Sequence, residues 1–265
     1  GGLPSTVFGE DDDDSVVPLT SGEVLVPFGA SFARLSADND LAQGRVGGAA
    51  VVTGEDDDVV TFVGGWAVQP RKQPQPHGEQ YDLVTNAFSS FGLMGPGTAL
   101  AAAAITDVSV AALVSVGGVD PHTQATSGRV RFFAADESEG FFGDAAPLRA
   151  ARRDHTATSI ASDLIVVIGG RDQNGNVIGS ASILDVDGVD QPLPVSLRRP
   201  RAGHTATLLP DDAGLGENVI LLCGGVGSGG ETLDTCELFT APDNPRNVAT
   251  FDTASFVLVG NRMSA

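Results

Sequence analysis

The stretch Leu164-Ile165-Val166-Val167-Ile168-Gly169-Gly170 decides the fold of this 265-residue chain, because three other stretches repeat it. They are Val59–Val63 before Gly64-Gly65, Ala112–Val116 before Gly117-Gly118, and Val219–Cys223 before Gly224-Gly225. The Gly pairs are spaced 53, 52 and 55 residues apart, too evenly for chance even in a chain with 34 glycines. A fixed period of this size marks a repeat architecture. The five residues before each pair are largely apolar and often β-branched, without alternation. That pattern fits a short strand buried on both faces.

Each unit carries further shared elements. A second strand follows 14 to 16 residues after each pair, centred on Tyr81, Phe133, Leu184 and Phe239. Before the last two pairs stand Arg153-Asp154-His155-Thr156-Ala157-Thr158 and Arg201-Ala202-Gly203-His204-Thr205-Ala206-Thr207. Degenerate forms, Arg45–Ala50 and Ala101–Ala104, precede the first two. The extra length between His204 and its Gly pair reads as a loop insertion at Asp211–Glu217. Each unit thus supplies three readable strands and room for a fourth. One such sheet cannot bury both faces alone, and radial packing of sheets about an axis solves that while leaving only short edges. The fold class is therefore all-β, with four-stranded antiparallel blades.

The order R-x-x-H-T-A-T, apolar strand, Gly-Gly, variable loop and aromatic strand resembles the kelch repeat over roughly residues 45–250. The resemblance implies a β-propeller, and some kelch propellers form the core of copper oxidases resembling galactose oxidase. Those need paired tyrosines and histidines, whereas Tyr81 is the only tyrosine here, so neither the copper site nor any other cofactor is expected. The Trp usual near the end of a kelch unit is missing, and Phe88, Phe141 or Phe142, and Phe251 are expected in its place. Residues 1–14 read as an acidic linker and 15–265 as the propeller. Val16–Leu19, Glu23–Phe28 and Ser31–Leu35 are expected to join Ala254–Val259 in a fifth blade that closes the ring. The alternative is a fragment of a six- or seven-blade ring, with Gly1-Gly2 the relic of an earlier pair.

Charge bounds the partners. The net charge is −19, from 34 acidic and 15 basic residues, which repels nucleic acid and anionic membranes. No apolar run reaches the length needed to span a bilayer. Glu10–Asp14 and Glu55–Asp58 are charge runs that read as solvated linker and loop tip, without the spaced ligands of a calcium site. Asp172–Asn176 opens like a calcium loop, but Val177 stands where Gly is needed and Ile183 where Glu is needed. No metal site is expected.

Recurring residues are expected to serve packing and non-recurring ones recognition. His155 and His204 could line the central channel as ligands, but their repetition favours a structural hydrogen bond. Arg149, Arg152, Arg153, Arg198, Arg199 and Arg201 form two clusters, from which Arg153 and Arg201 are expected on a cationic rim for a carboxylate or sulfated sugar. Trp66, the single Trp, lies where a sugar would stack. Cys223 and Cys236 flank one loop on neighbouring strands; they are either a cross-strand disulfide or, in the case of Cys223, a small buried hydrophobe. Gly64, Gly65, Gly117, Gly118, Gly169, Gly170, Gly224 and Gly225 are expected to be structural. No nucleophile elbow or phosphate loop occurs.

The expected function is a non-catalytic, monomeric scaffold that binds protein or glycan through the variable loops after each Gly pair. The alternatives are a carbohydrate-active enzyme with carboxylates at the channel mouth, and a structural or adhesive surface domain. Acidity, a single lysine and two cysteines suggest an extracellular or cell-surface bacterial protein, with a cytoplasmic location as the alternative.

Overall fold

The structure is a computed structural model that describes residues 23–26, 31–34, 41–42, 44–53, 59–67, 73–74, 77–93, 104–109, 112–120, 123, 125–134, 143–185, 189–211 and 214–259. Among them are one hairpin and four antiparallel sheets. The hairpin pairs β1 (Glu23–Val26) with β2 (Ser31–Arg34). Sheet 1 runs in the order β3 (Val46–Thr53), β4 (Val59–Ala67), β6 (His77–Asp82), β7 (Ala87–Leu93), and the short β5 (Gln73–Pro74) also pairs with β4. Sheet 2 comprises β8 (Ala104–Ser109), β9 (Ala112–Val116), β10 (Val130–Ala134) and β11 (Gly143–Ala145). Sheet 3 comprises β12 (Thr156–Ala161), β13 (Leu164–Ile168), β14 (Ser180–Asp185) and β15 (Asp190–Ser196). Sheet 4 comprises β16 (Thr205–Leu208), β17 (Val219–Cys223), β18 (Cys236–Thr240) and β19 (Ser255–Leu258).

The register makes the sheets equivalent residue by residue. Tyr81, Phe133, Leu184 and Phe239 each pair with the residue four before the first Gly of their unit: Val60, Leu113, Ile165 and Ile220. First strands of successive sheets lie side by side, β3 by β8, β8 by β12 and β12 by β16. Alternation along the central strand then assigns each face. Ile165, Val167 and Leu184 pack with Val114, Val116 and Val130 of sheet 2. Val166, Ile168 and Ile183 pack with Ile220, Leu222 and Phe239 of sheet 4. The unalternating run LIVVI follows from this, since a strand with a sheet on each side has no polar face. All five of its residues are buried, and each fully buried aliphatic side chain contributes about 1.5–3 kcal/mol.

The Gly pairs fix how closely successive units approach. All eight glycines have positive φ, from 62° to 102°. Gly118 and Gly170 donate N–H hydrogen bonds of 2.8 and 2.9 Å to the carbonyls of Arg152 and Arg201 in the next unit. A Cβ on Gly170 would lie 2.5 Å from the Arg153 carbonyl oxygen, in backbone that cannot retreat. Gly170→Ala is therefore expected to lower stability by about 2–3 kcal/mol through left-handed strain and contact. A urea titration checks this, and a shift below the precision of the midpoint would show the site relaxes.

Two expectations about the ends and edges are corrected. Ala254–Val259 does not join an N-terminal fifth sheet, because Ser255–Leu258 pairs with β18 as the fourth strand of sheet 4. Of the N-terminal segments, Glu23–Val26 and Ser31–Arg34 form only their own hairpin, and Val16–Leu19 lies outside the described residues. Phe251 is buried in a 3-10 turn, Val248–Thr253, and does not occupy the fourth-strand position. That position in sheet 4 is Phe256, opposite Phe239 with ring centroids 4.9 Å apart, as Phe88 is opposite Tyr81 at 4.8 Å. Phe141 and Phe142 lie outside the described residues.

Candidate functional site

A buried arginine anchors the lead-in of three units. Arg201 is 0 % exposed and donates to the carbonyls of Gly224 and Thr235, both at 2.9 Å, and to the Glu237 carboxylate at 2.9 Å. The same carboxylate accepts the N–H groups of Arg198 and Arg199. Unit 1 repeats the device, with Glu79 accepting from Arg45 Nη2 at 2.6 Å and from the Ala42 N–H, while Arg45 Nη1 reaches the Gly64 carbonyl. In unit 3, Arg152 donates to the Gly169 and Ser180 carbonyls. Its carboxylate comes from the fourth strand, where Asp190 accepts the Arg149 N–H at 2.8 Å. Burial pulls the Arg152 guanidinium below the usual arginine range, and Asp190 opposes the shift. Unit 2 departs from the pattern, with buried Arg131 at the register position of Glu237.

Arg201 is thus an interior residue that fixes its own blade, and a surface rim cannot include it. His155 and His204 are interior too, each 6 % exposed between successive sheets. His204 Nε2 pairs with Thr156 Oγ1 of sheet 3 at 3.1 Å. A Cβ on Gly169 would meet His204 Cε1 at 3.0 Å, and one on Gly117 would meet His155 Cε1 at 2.6 Å. Each imidazole therefore fills the hollow left by the previous unit's first Gly. Burial, reinforced by the Arg201 charge, lowers His204 to about 3. Burial also holds His155 well below its usual range, with Arg152 and His204 acting in the same direction. Two neutral, enclosed imidazoles serve packing between sheets. Trp66 lies inside β4, in register with Val46 and Pro74, and so stands on a strand.

Arg153 is the predicted residue that reaches the surface, and the structure brings it to two others. Its backbone forms a two-bond bridge with Arg171, of 3.0 and 2.8 Å. Between them lies Asp154, whose carboxylate is 3.9 Å from Arg153 Nε and 3.6 Å from Arg171 Nε. Asp154 adopts φ 54° and lends its carbonyl to the Gly203 N–H at 2.7 Å. Arg171 Nη1 also donates to the Gly175 carbonyl. The side chains of Arg153 and Arg171 are 34 % and 17 % exposed, so both heads meet solvent. One carboxylate cannot neutralise two guanidinium groups, and the cluster keeps a positive charge in an acidic protein.

The backbone of this cluster recurs in unit 4, where the bridge joins Ala202 to Val226 and Gly203 replaces Asp154. Arg171 and Asp154 were readable in the sequence as the charged residues that unit 4 lacks. They were missed because the repeat comparison concentrated on shared positions. The neighbouring loop is self-satisfied: Asp172 accepts from the Asn174 and Asn176 N–H groups at 2.8 and 2.9 Å and from Asn176 Nδ2 at 3.0 Å. The Asn176 side-chain bond leads in holding the Asp172 carboxyl below its ordinary range. Among the described residues, no group of three or more His, Cys, Asp or Glu side chains is placed to hold a metal ion, and no helix is long and apolar enough to cross a membrane.

Cys223 and Cys236 are directly opposite and joined by a disulfide, with Cα atoms 4.2 Å apart. They occupy the places of Ile168 and Ala181 in sheet 3.

No family model matches the chain, and no curated protein matches it. Among solved structures the chain is similar to one titled "Structure of YjhT", with a TM-score of 0.68 and 14% identity, over 89% of this chain and 79% of that one. At that identity the likeness concerns the fold alone, a β-rich architecture of antiparallel sheets.

Proposed function

We propose that the four sheets are blades of a kelch-type β-propeller, and that it is a non-catalytic scaffold binding an anionic group of a protein or glycan at Arg153 and Arg171. The side-by-side first strands and the Gly pairs that receive the next unit's lead-in support the propeller reading. The observation that carries the ligand reading is the convergence of two part-exposed guanidinium groups on one carboxylate, at positions where the sister unit has Ala202 and Val226. Their shared Asp154 holds both heads in place, so less side-chain freedom is lost when an anion arrives. A carboxylate or sulfate has the planar or forked oxygens that guanidinium groups pair with. The Cys223–Cys236 disulfide supports a location outside the cell or on its surface, where such bonds persist.

The test is a glycan array holding uronate, sialylated and sulfated glycans beside their neutral parents. Binding is expected on the acidic members only, and Arg153→Ala and Arg171→Ala are each expected to weaken it about tenfold, the scale of one charge-assisted hydrogen bond. Arg198→Ala, outside the cluster, is expected to leave it unchanged. Equal binding of neutral glycans, or indifference to both substitutions, would refute the reading.

A further inference from the structure

Sheet 4 presents one face that nothing covers. Positions one and three before each first Gly face the following sheet: Val166 and Ile168 of sheet 3 are 0 % exposed beneath sheet 4. Their counterparts in sheet 4 are Leu221 and Cys223, which are only half-buried. The row continues through Leu238 to Val257, which is 53 % exposed, and through Thr205 and Thr207, which are also exposed.

The polar half of the junction is unfilled as well. Gly118 and Gly170 give their N–H groups to the next unit, whereas the equivalent Gly225 N–H has no such partner among the described residues. Thr156 Oγ1 pairs with His204 of the next unit, whereas the equivalent Thr205 Oγ1 turns back to the carbonyl of Cys223 in its own sheet. Sheet 4 therefore carries the complete receiving side of the junction that sheet 3 makes with it.

The complementary side exists on sheet 1. Val60, Phe62 and Tyr81 stand at the register positions of Ile220, Leu222 and Phe239, the residues that sheet 4 packs onto sheet 3. Val60 and Phe62 are half-buried, where Ile220 and Leu222 are fully enclosed. The lead-in of sheet 1 holds the same arginine–glutamate device, Arg45 on Glu79, that sets the lead-in of sheet 4. We propose that the open face of sheet 4 docks sheet 1 of a second copy of this chain, continuing the sheet 3–sheet 4 junction head to tail. A heterologous contact of this kind closes into a ring or extends as a filament, depending on the rotation between copies. The inference rests on the repeat geometry and not on the ligand reading, so the glycan array does not bear on it.

Sedimentation equilibrium of the full chain up to about 100 μM tests the contact at the weak end of specific association. Species of two or more copies are expected, strengthened by sodium chloride because each copy carries a charge of −19. Val257→Arg and Thr207→Arg lie on exposed positions that leave the core intact, and each is expected to weaken association about tenfold or more by burying a charge in the junction. Leu215→Arg, on the exposed β16–β17 connection, is expected to have no effect. Mixing Val257→Arg with Val60→Arg is expected to restore a one-to-one complex, since each copy keeps the half that the other lost. A monomer throughout the concentration range, or association that neither Val257→Arg nor Thr207→Arg weakens, overturns the proposal. If Val60→Arg does not fold, the comparison of wild type with the two exposed variants decides.

Discussion

Arg201→Met lowers the unfolding free energy by about 3–5 kcal/mol, the cost of stranding one member of a buried ion pair. Both partners are 0 % exposed, so Glu237 has no water to turn to once the guanidinium is gone. The loss goes beyond the pair. Arg201 also ties down the carbonyls of Gly224 and Thr235, while Glu237 holds the N–H groups of Arg198 and Arg199. Glu237→Leu is expected to cost a similar amount. The double variant Arg201→Met, Glu237→Leu is expected to recover part of the loss, because no uncompensated charge remains, while the four backbone groups stay unpaired. Urea titrations of the four proteins form the double-mutant cycle that measures this coupling. A single-variant loss under about 1 kcal/mol would place the pair in the class of solvated surface bridges and contradict the burial.

The same comparison explains what the sequence could and could not disclose. The strands next to the Gly pairs were legible because a sheet covered on both faces demands unbroken apolar residues, and positive φ demands Gly. The central residues of the next strand were legible for the same reason, since Tyr81, Leu184 and Phe239 meet the same neighbours in each sheet. The arginine device was not legible as a device. Its carboxylate comes from β6 in unit 1, from β18 in unit 4 and from β15 in unit 3, so no single spacing describes it. Arg201 was read as surface because an isolated charge is costly to bury, and the partner that removes the cost lies 36 residues away. The fourth strands were mislaid where composition is weak: β15 carries two prolines, and β19 reads equally well as the start of another sheet. The surface cluster needed the opposite reading, in which the residue that breaks the repeat is the informative one. Arg153, Asp154 and Arg171 stand on backbone shared with Ala202, Gly203 and Val226, so their charges serve something other than the fold.

Acidification from pH 7 to 4 is expected to destabilise the protein through His204 alone by roughly 3 kcal/mol, since each pH unit between its two pKa values is worth about 1.4 kcal/mol. The sign follows from where the proton binds. In the unfolded chain the imidazole has its ordinary value of 6.5, and in the folded protein burial and the Arg201 charge lower it to about 3. Between those values the unfolded state holds the extra proton, so stability is complete above about pH 6.5 and falls as pH drops toward 3. His155, shifted in the same direction, adds to the slope. The exposed carboxyls of Asp82 and Asp172, both lowered by local hydrogen bonds, lose their contribution at more acid pH. A substitution separates these sources. His204→Gln keeps a hydrogen-bonding head near Thr156 Oγ1 but cannot titrate, so it is expected to be less stable than wild type at pH 7 and to lose less on acidification. Melting curves of the two proteins at half-unit steps from pH 7 to 4 give the slopes. Parallel slopes would mean that the imidazole opens to water before it protonates, which the enclosed packing of His204 against Gly169 and Thr156 forbids.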